Sequence, residues 1–575
     1  MTDRKPECGQ NPPSRYWQGW DETTGRMPDL QEILRESRAI SFVQPRTYDA
    51  IVVGTGAAGG VACRELTRAG MNVLALEAGW EASSARSALR HPVARLFAGI
   101  STNPAFRALP AGAISLGRKA LKAAGKVRQP VQTKCFAWEL SPGSLVDDRD
   151  CPYETPEDAP FHWFRARQLG GRMIVPGHGR QYYRFGPLDL GGRGDEDSAW
   201  PIEPHELDPW YEDIEKTLGL RGGNDRSDLV PDSKLTIVNT ILPSEAATLE
   251  ALKRQLPDTA AILGRYAPPA DWMSMAASAG QLMIRTGAVV RRVMRDGAGH
   301  ACGVEWLDCR TGMIVSAQAP VVFLCASAFE TTRILMLSRC RESAEPVGLH
   351  SAALGCFVMD HAVSSCNGYV PAGAGEADES LEDGRCLYLP MRTEIRDESS
   401  GRIRQMTYGV QVHRHLFGSR RARVDLAGFA PMQPRAENRL TLTNRTDKYG
   451  MPVLKIECRY SAADKALAGE QMRTIRKMSE ALGLDTEYIS PDAATPGTGI
   501  HECGGARMGA DPATSVVDAN NECWDTKGLF VTDAAAFPSM GAQNPTLTIM
   551  AQSARAAAYA ASRHMRLPNV ADAQL

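Results

Sequence analysis

No two of the fourteen cysteines stand as C-x-x-C. The spacings that metal and iron–sulfur sites use are therefore missing, and no metal site is expected. Isolated cysteines in apolar surroundings, such as Cys63, Cys325 and Cys356, read as small hydrophobes. Reduced thiols and a cytoplasmic setting are expected. Nowhere does an apolar run approach the ~20 residues of a membrane-spanning helix. The first residues show neither a signal-peptide apolar stretch nor a twin-arginine pair. A net charge of -2 over 575 residues gives nucleic acid or an anionic membrane nothing to hold. With 43% hydrophobic and 23% charged residues, the chain has the composition of a globular protein, long enough for more than one core.

Glycine is plentiful, and its first cluster is informative. A short apolar run over 49–53 ends in Gly54-x-Gly56-x-x-Gly59, a helix is expected by residues 62–68, and a second apolar run over 72–76 leads into Glu77. This is strand, glycine turn, helix, strand, acid. Gly54 permits the tight turn, Gly56 lets backbone approach a pyrophosphate, and Gly59 lets helix and strand pack closely. The helix start favours phosphate, and Glu77, about 20 residues beyond Gly56, can accept from ribose hydroxyls. The pattern points to a dinucleotide without choosing between FAD and NAD.

Residues 1–46 are polar, with an expected short helix over 29–38, and 83–126 reads as a basic, alanine-rich cover. The stretch 163–187 brings a Gly170-Gly171 pair, five arginines (Arg165, Arg167, Arg172, Arg180 and Arg184) and His178. The arginines suit either phosphates or a solvated basic face. Asp208-Pro209 reads as a capped helix start, with Trp210, Ile214 and Leu218 on one buried face. Alternating runs at 288–290, 301–306 and 313–317 are expected strands; the first, with Val289, would neighbour an adenine, and the run from Val321 would complete the nucleotide sheet. Further alternating runs between 345 and 495, followed by a helix over 462–482, suggest a largely antiparallel α+β unit. Gln411 and His413 share one face of their strand by the period-two rule, facing either a substrate or solvent.

The C-terminal part holds His501-x-x-Gly504-x-x-x-Met508-Gly509, then Val531-x-Asp533-Ala534 through Pro538, then Gln543-Asn544-Pro545-Thr546. Together with the first glycine turn, Leu169-Gly-Gly-Arg172 and Gly355-Cys-Phe-Val-Met-Asp360-His361, these motifs resemble the glucose–methanol–choline (GMC) oxidoreductase family over residues 47 to about 562. The resemblance is greatest to its bacterial sugar-oxidising branch, with pyranose oxidases and glycoside 3-dehydrogenases.

That resemblance implies an α/β Rossmann-like FAD-binding domain joined to an α+β substrate domain on a largely antiparallel sheet. The expected division is an extension over 1–46, FAD-binding segments over 47–199, 281–344 and 496–575, a substrate or cap segment over 200–280 and a substrate-binding domain over 345–495. It implies FAD held by Gly54, Gly56, Ala57, Ala58, Gly59, Glu77, Ala78, Gly170, Gly171, Arg172, Val289, Asp533, Ala534, Asn544, Pro545 and Thr546, non-covalently, with a link through His178 left open. His501 and Asn544 are the implied catalytic pair, with Gln411, His413 and Gln543 toward substrate. The implied reaction oxidises an alcohol, a secondary hydroxyl of a sugar or glycoside, with O2, a quinone or a redox protein as final acceptor. Alternatives are a non-sugar alcohol, a non-redox enzyme with structural FAD, and a flavin subunit that passes electrons to a partner protein. Self-association is compatible with all of these.

Overall fold

A computed structural model describes residues 48–81, 119–120, 122–139, 141–191, 198–224, 227–257, 259–338, 347–348, 351–371, 384–396, 401, 403–415 and 422–564. The extension over 1–46, its helix, and most of the cover over 83–126 lie outside the described residues.

The apolar run after Tyr48 is the strand Ala50–Val53, and all four residues are buried. A strand buried on both faces belongs in a parallel sheet covered on both sides. Five parallel strands run in the order Leu529–Val531, Val321–Leu324, Ala50–Val53, Val73–Glu77, Leu282–Thr286. The helix Ala57–Arg68 starts on the glycine turn itself. Small residues let it sit close to its cover: Ala58, Ala62 and Cys63 share one buried cluster with Ala557, Ala560 and Ala561 of the helix Thr546–His564. Ser553 Oγ donates to the Ala58 carbonyl oxygen at 2.9 Å, fixing the two helices in register.

The strands Ala288–Arg295, Ala301–Asp308 and Met313–Gln318 form their own antiparallel sheet. A larger antiparallel sheet runs in the order Asp485–Ile489, His361–Tyr369, Arg423–Pro431, Ile403–His415, Leu387–Arg396, Ile262–Leu263. The helix Ala462–Ala481, started by a Ser461–Asp464 capping box, packs Leu467, Ile475 and Met478 into the same cluster as Val410 and Leu426. Val363, Ser365, Gln411, His413, Asp425, Ala427 and Phe429 line a cavity, at the alternate positions that the strand pleat requires.

The alternating runs Arg439–Thr446 and Pro452–Glu457 form a two-stranded antiparallel ribbon apart from the large sheet, with an isolated bridge from Glu154 to Lys455. One local expectation needs correction. In the helix Asp208–Leu218 the cap position belongs to Leu207, with no side-chain cap bond. The Asp208 carboxylate instead accepts from Arg184, whose guanidinium is held mainly by two oxygens of the buried Glu215, at 2.8 and 2.6 Å.

Candidate active site

One cavity of about 930 Å³ joins the carboxyl ends of the parallel strands to the large antiparallel sheet. Gly54, Gly56, Ala57, Ala58, Glu77, Ala78, Gly171, Arg172, His178, Val289, Gln411, His413, His501, Asp533, Ala534, Asn544, Pro545 and Thr546 all line it. Gly59, Gly170 and Gln543 do not. Gly59 lies beneath the turn, Gly170 precedes the lining pair, and the buried Gln543 amide donates to the Leu229 carbonyl at 2.9 Å.

At the nucleotide end, Glu77 Oε2 accepts from the Thr55 N–H and hydroxyl at 3.2 and 2.7 Å, while Oε1 accepts from the Gly79 N–H at 2.8 Å. Burial pushes this carboxyl up against those donors. Thr55 Oγ1 in turn accepts from the Gly170 N–H at 3.1 Å, so the acid also ties the Gly170-Gly171 loop to the glycine turn. Thr55 has no role in the sequence reading, because an x position in a glycine motif carries no signal of its own.

The arginines of 163–187 turn inward. Arg167 donates to Glu330 at 2.8 Å, Arg172 to Glu502 at 2.8 Å, Arg180 to the Met173 and His178 carbonyls, and Arg165 to the Cys151 carbonyl while lying 4.2 Å over the Trp163 ring. Their partners are spread along the chain, which is why local charge density reads as a phosphate site or a wet face. The His178 ring lies tilted against Phe136, centroids 4.9 Å apart, and burial first, then Arg172 and Arg180, hold it down to about 3.

The chemical end is built on two crossing segments. Met359 and Cys503 exchange backbone hydrogen bonds at 2.9 and 3.0 Å, bringing Asp360 and His361 beside His501. The buried Asp360 carboxylate accepts from the Gly499 and His501 N–H groups at 3.0 and 2.9 Å, on either side of Ile500. That clamp holds Ile500, a β-branched residue, at φ 59°, a conformation that costs of order 1–3 kcal/mol and collects at functional sites. Burial and the nearby Glu502 push Asp360 up to about 7. His501 is held well below the usual imidazole range by burial, then by His361, Arg172 and His178. It is neutral at neutral pH.

His501 Nδ1 lies 2.9 Å from His361 Nδ1, and His501 Nε2 lies 3.3 Å from Asn544 Nδ2. Asn544 Oδ1 accepts from Gln411 Nε2 at 2.7 Å, and Gln411 Oε1 from His413 Nε2 at 3.1 Å. Gln411 and His413 of the 403–415 strand thus face the cavity, and Gln411 touches Asn544 directly. Asp360 and His361 have no assigned role in the sequence reading; the Asp-His pair after Gly355 was the available signal.

The wall fits a dinucleotide on its own evidence. An added Cβ at Gly56 meets no protein atom nearer than Gly171 Cα at 3.9 Å, so space for an approaching ligand accounts for the glycine there. N–H groups of the first helical turn, at Ala57 and Ala58, have no partner within their own helix. Among the described residues the buried Glu502 Oε1, in the cavity wall, has no hydrogen-bond partner. Asp533 accepts from Thr331 and from the Ala535 N–H, and burial pushes it up to about 6.

The family model for GMC oxidoreductase matches residues 434–553. The 6'''-hydroxyparomomycin C oxidase of Streptomyces lividus is 26% identical over 558 residues, 90% of this chain and 92% of that protein. The C-glycoside 3-oxidase of Arthrobacter globiformis is 27% identical over 286 residues, 47% of this chain and 51% of that protein. In structure, formate oxidase of Aspergillus oryzae superposes with a TM-score of 0.59 at 15% identity, over 91% of this chain and 100% of that one. His501, Asp533 and Asn544 of the matched segment face the same cavity as the N-terminal glycine turn, and residues 434–553 carry the C-terminal domain of GMC oxidoreductases, flavoenzymes whose cofactor is FAD.

Proposed function

We propose that the protein oxidises a secondary hydroxyl of a sugar or glycoside to a carbonyl, with His501 as base and Asn544 as the residue that holds the reacting oxygen. The observation that carries this is the contact of 3.3 Å between His501 Nε2 and Asn544 Nδ2, in the wall of the FAD cavity. A substrate hydroxyl inserted there accepts from the amide and gives its proton to the neutral imidazole. The chemistry that FAD supplies when bound is that of a two-electron acceptor at flavin N5. Gly54, Gly56, Ala57, Ala58, Glu77, Ala78, Gly171, Arg172, Val289, Asp533, Ala534, Pro545 and Thr546 would hold it, with Gly59 and Gly170 shaping the turns beneath. In this reading residues 345–495 are the substrate-binding domain.

A sugar is favoured by the wall opposite. Gln411, His413, Arg414 and Asp425 offer donors and acceptors, and Phe429 and Val363 offer apolar surface for a C–H face. The C-glycoside 3-oxidase and the pyranose 2-oxidases among the relatives support the same class.

Anaerobic mixing with a panel of sugars, glycosides and simple alcohols tests the proposal by bleaching of the flavin. Sugars or glycosides should bleach it, and His501→Ala should slow bleaching by at least about 10²-fold, the lower bound for a positioned base. A His501→Ala protein that is reduced at the wild-type rate removes the base assignment. Bleaching by simple alcohols alone moves the substrate out of the sugar class. Peroxide formation by the isolated chain in air then separates O2 from a quinone or redox protein as acceptor.

A further inference from the structure

We propose that His361 is a positioning residue that dictates which nitrogen of His501 carries the proton and so makes Nε2 the basic atom; this rests on the reading of His501 as base. His361 has no choice of where its proton sits. His361 Nε2 lies 2.8 Å from the Gly541 carbonyl oxygen, which can only accept, so His361 carries its proton on Nε2. A neutral imidazole protonated there has a bare Nδ1, an acceptor. The contact of 2.9 Å between the two Nδ1 atoms therefore requires the proton to sit on His501 Nδ1. His501 Nε2 is then bare, and it is this nitrogen that meets Asn544.

The other half of the chain has the same polarity. His413 donates to Gln411, Gln411 to Asn544 Oδ1, and the Asn544 amide nitrogen is left pointing a donor at His501 Nε2. From His413 and from Gly541, fixed donors and acceptors converge on one unprotonated nitrogen. The reverse tautomer of His501 would set two bare nitrogens against each other at the His361 contact and two N–H groups against each other at Asn544. A protonated His361 could donate to His501 Nδ1, but it would put a charge on a side chain with 0% exposure.

The arrangement serves both states of the base. When the substrate O–H bond breaks and an N–H bond forms at His501 Nε2, the Nδ1–H donated to His361 is unchanged, so this bond needs no reorganisation during proton transfer. A carboxylate oxygen of Asp360 and one ring nitrogen each of His361 and His501 lie within 4.8 Å of one another, which puts the Asp360 carboxylate beside the imidazolium that results.

The test uses the FAD-loaded enzyme and a substrate that bleaches the wild type. In protein with ¹⁵N-labelled histidine, the His501 shifts should report Nδ1–H and a bare Nε2. His361→Leu, which removes the acceptor, should slow anaerobic flavin reduction by about 10²-fold or more and move His501 toward the Nε2–H tautomer. His361→Asn, whose Oδ1 takes the place of the Nδ1 acceptor, should recover at least tenfold of that loss and restore the wild-type shifts. A His361→Leu enzyme within twofold of wild type, or Nε2–H on wild-type His501, overturns the proposal while leaving the base intact. If His501→Ala keeps the wild-type rate, the base reading and this proposal fail together. Should His361→Leu not load FAD, the wild-type shifts and the His361→Asn rate decide the matter alone.

Discussion

His162 shows what burial does to a histidine outside the chemistry. Lys134 Nζ donates to its Nε2 at 2.9 Å, and burial first, then the ammonium, lower it to about 4. The unfolded imidazole titrates near 6.5, so as pH falls below 6.5 the unfolded chain takes up the proton first. Stability is lost across the window from 6.5 to about 4, and no further loss from this group follows below it. His162→Phe removes the titration, so the gap between wild-type and variant unfolding midpoints should shift in the variant's favour between pH 7 and pH 4. Midpoints at pH 7, 5.5 and 4 measure it, and a constant gap contradicts the assignment. At this scale the sequence names His501 and Asn544 through their motifs. Gln411 is legible as a face of a strand but not as a partner of Asn544, because the period-two rule orients a side chain without saying what lies across from it.

The strand–turn–helix unit separates two kinds of glycine. An added Cβ at Gly59 stands 1.9 Å from the Gly54 carbonyl oxygen, a clash of backbone against backbone that nothing flexible can relieve. At Gly56 the same addition finds room in the protein and projects where a pyrophosphate must approach. Gly59→Ala should therefore impair folding itself, seen as a lowered unfolding midpoint of the FAD-free chain. Gly56→Ala should keep that midpoint and weaken FAD binding by at least about tenfold, on the order of 1.4 kcal/mol. Equal effects of the two on the FAD-free midpoint would contradict this division. The unit was readable because its apolar runs and glycines are local in sequence. The expected helix start falls late, since Ala57-Ala58-Gly59-Gly60 has the composition of a loop, while burial against Trp272 and the alanines of the last helix makes it helical. The ribbon of 439–457 was legible as strands but not as a unit apart from the large sheet, because alternation identifies a half-buried strand but not its partner.

Over the whole molecule, the return of Leu529–Val531 to one edge of the parallel sheet and the recruitment of Ile262–Leu263 to the antiparallel one depend on distant pairing that no local pattern encodes. What those returns accomplish is a single cavity with two walls. Glu77 stands at the end of a parallel strand, Val289 on the strand Ala288–Arg295 and Glu330 on the helix Ala328–Leu337, while Gln411, His413 and Phe429 stand on the large antiparallel sheet. A ligand that spans both walls binds the folded chain and has no counterpart site in the unfolded one, so it stabilises by mass action, about 2.7 kcal/mol at 100 times its Kd. With the cofactor stripped, FAD, ADP and FMN added at one fixed concentration should raise the unfolding midpoint in that order. ADP keeps the half that would meet the glycine turn and Glu77; FMN keeps only the flavin half, which would face His501 and the sheet. The comparison is read by differential scanning fluorimetry at several concentrations of each ligand. FMN matching FAD would mean that the glycine turn contributes nothing to holding the cofactor, and the assignment of Gly54, Gly56 and Glu77 to the adenosine half would then have to be withdrawn.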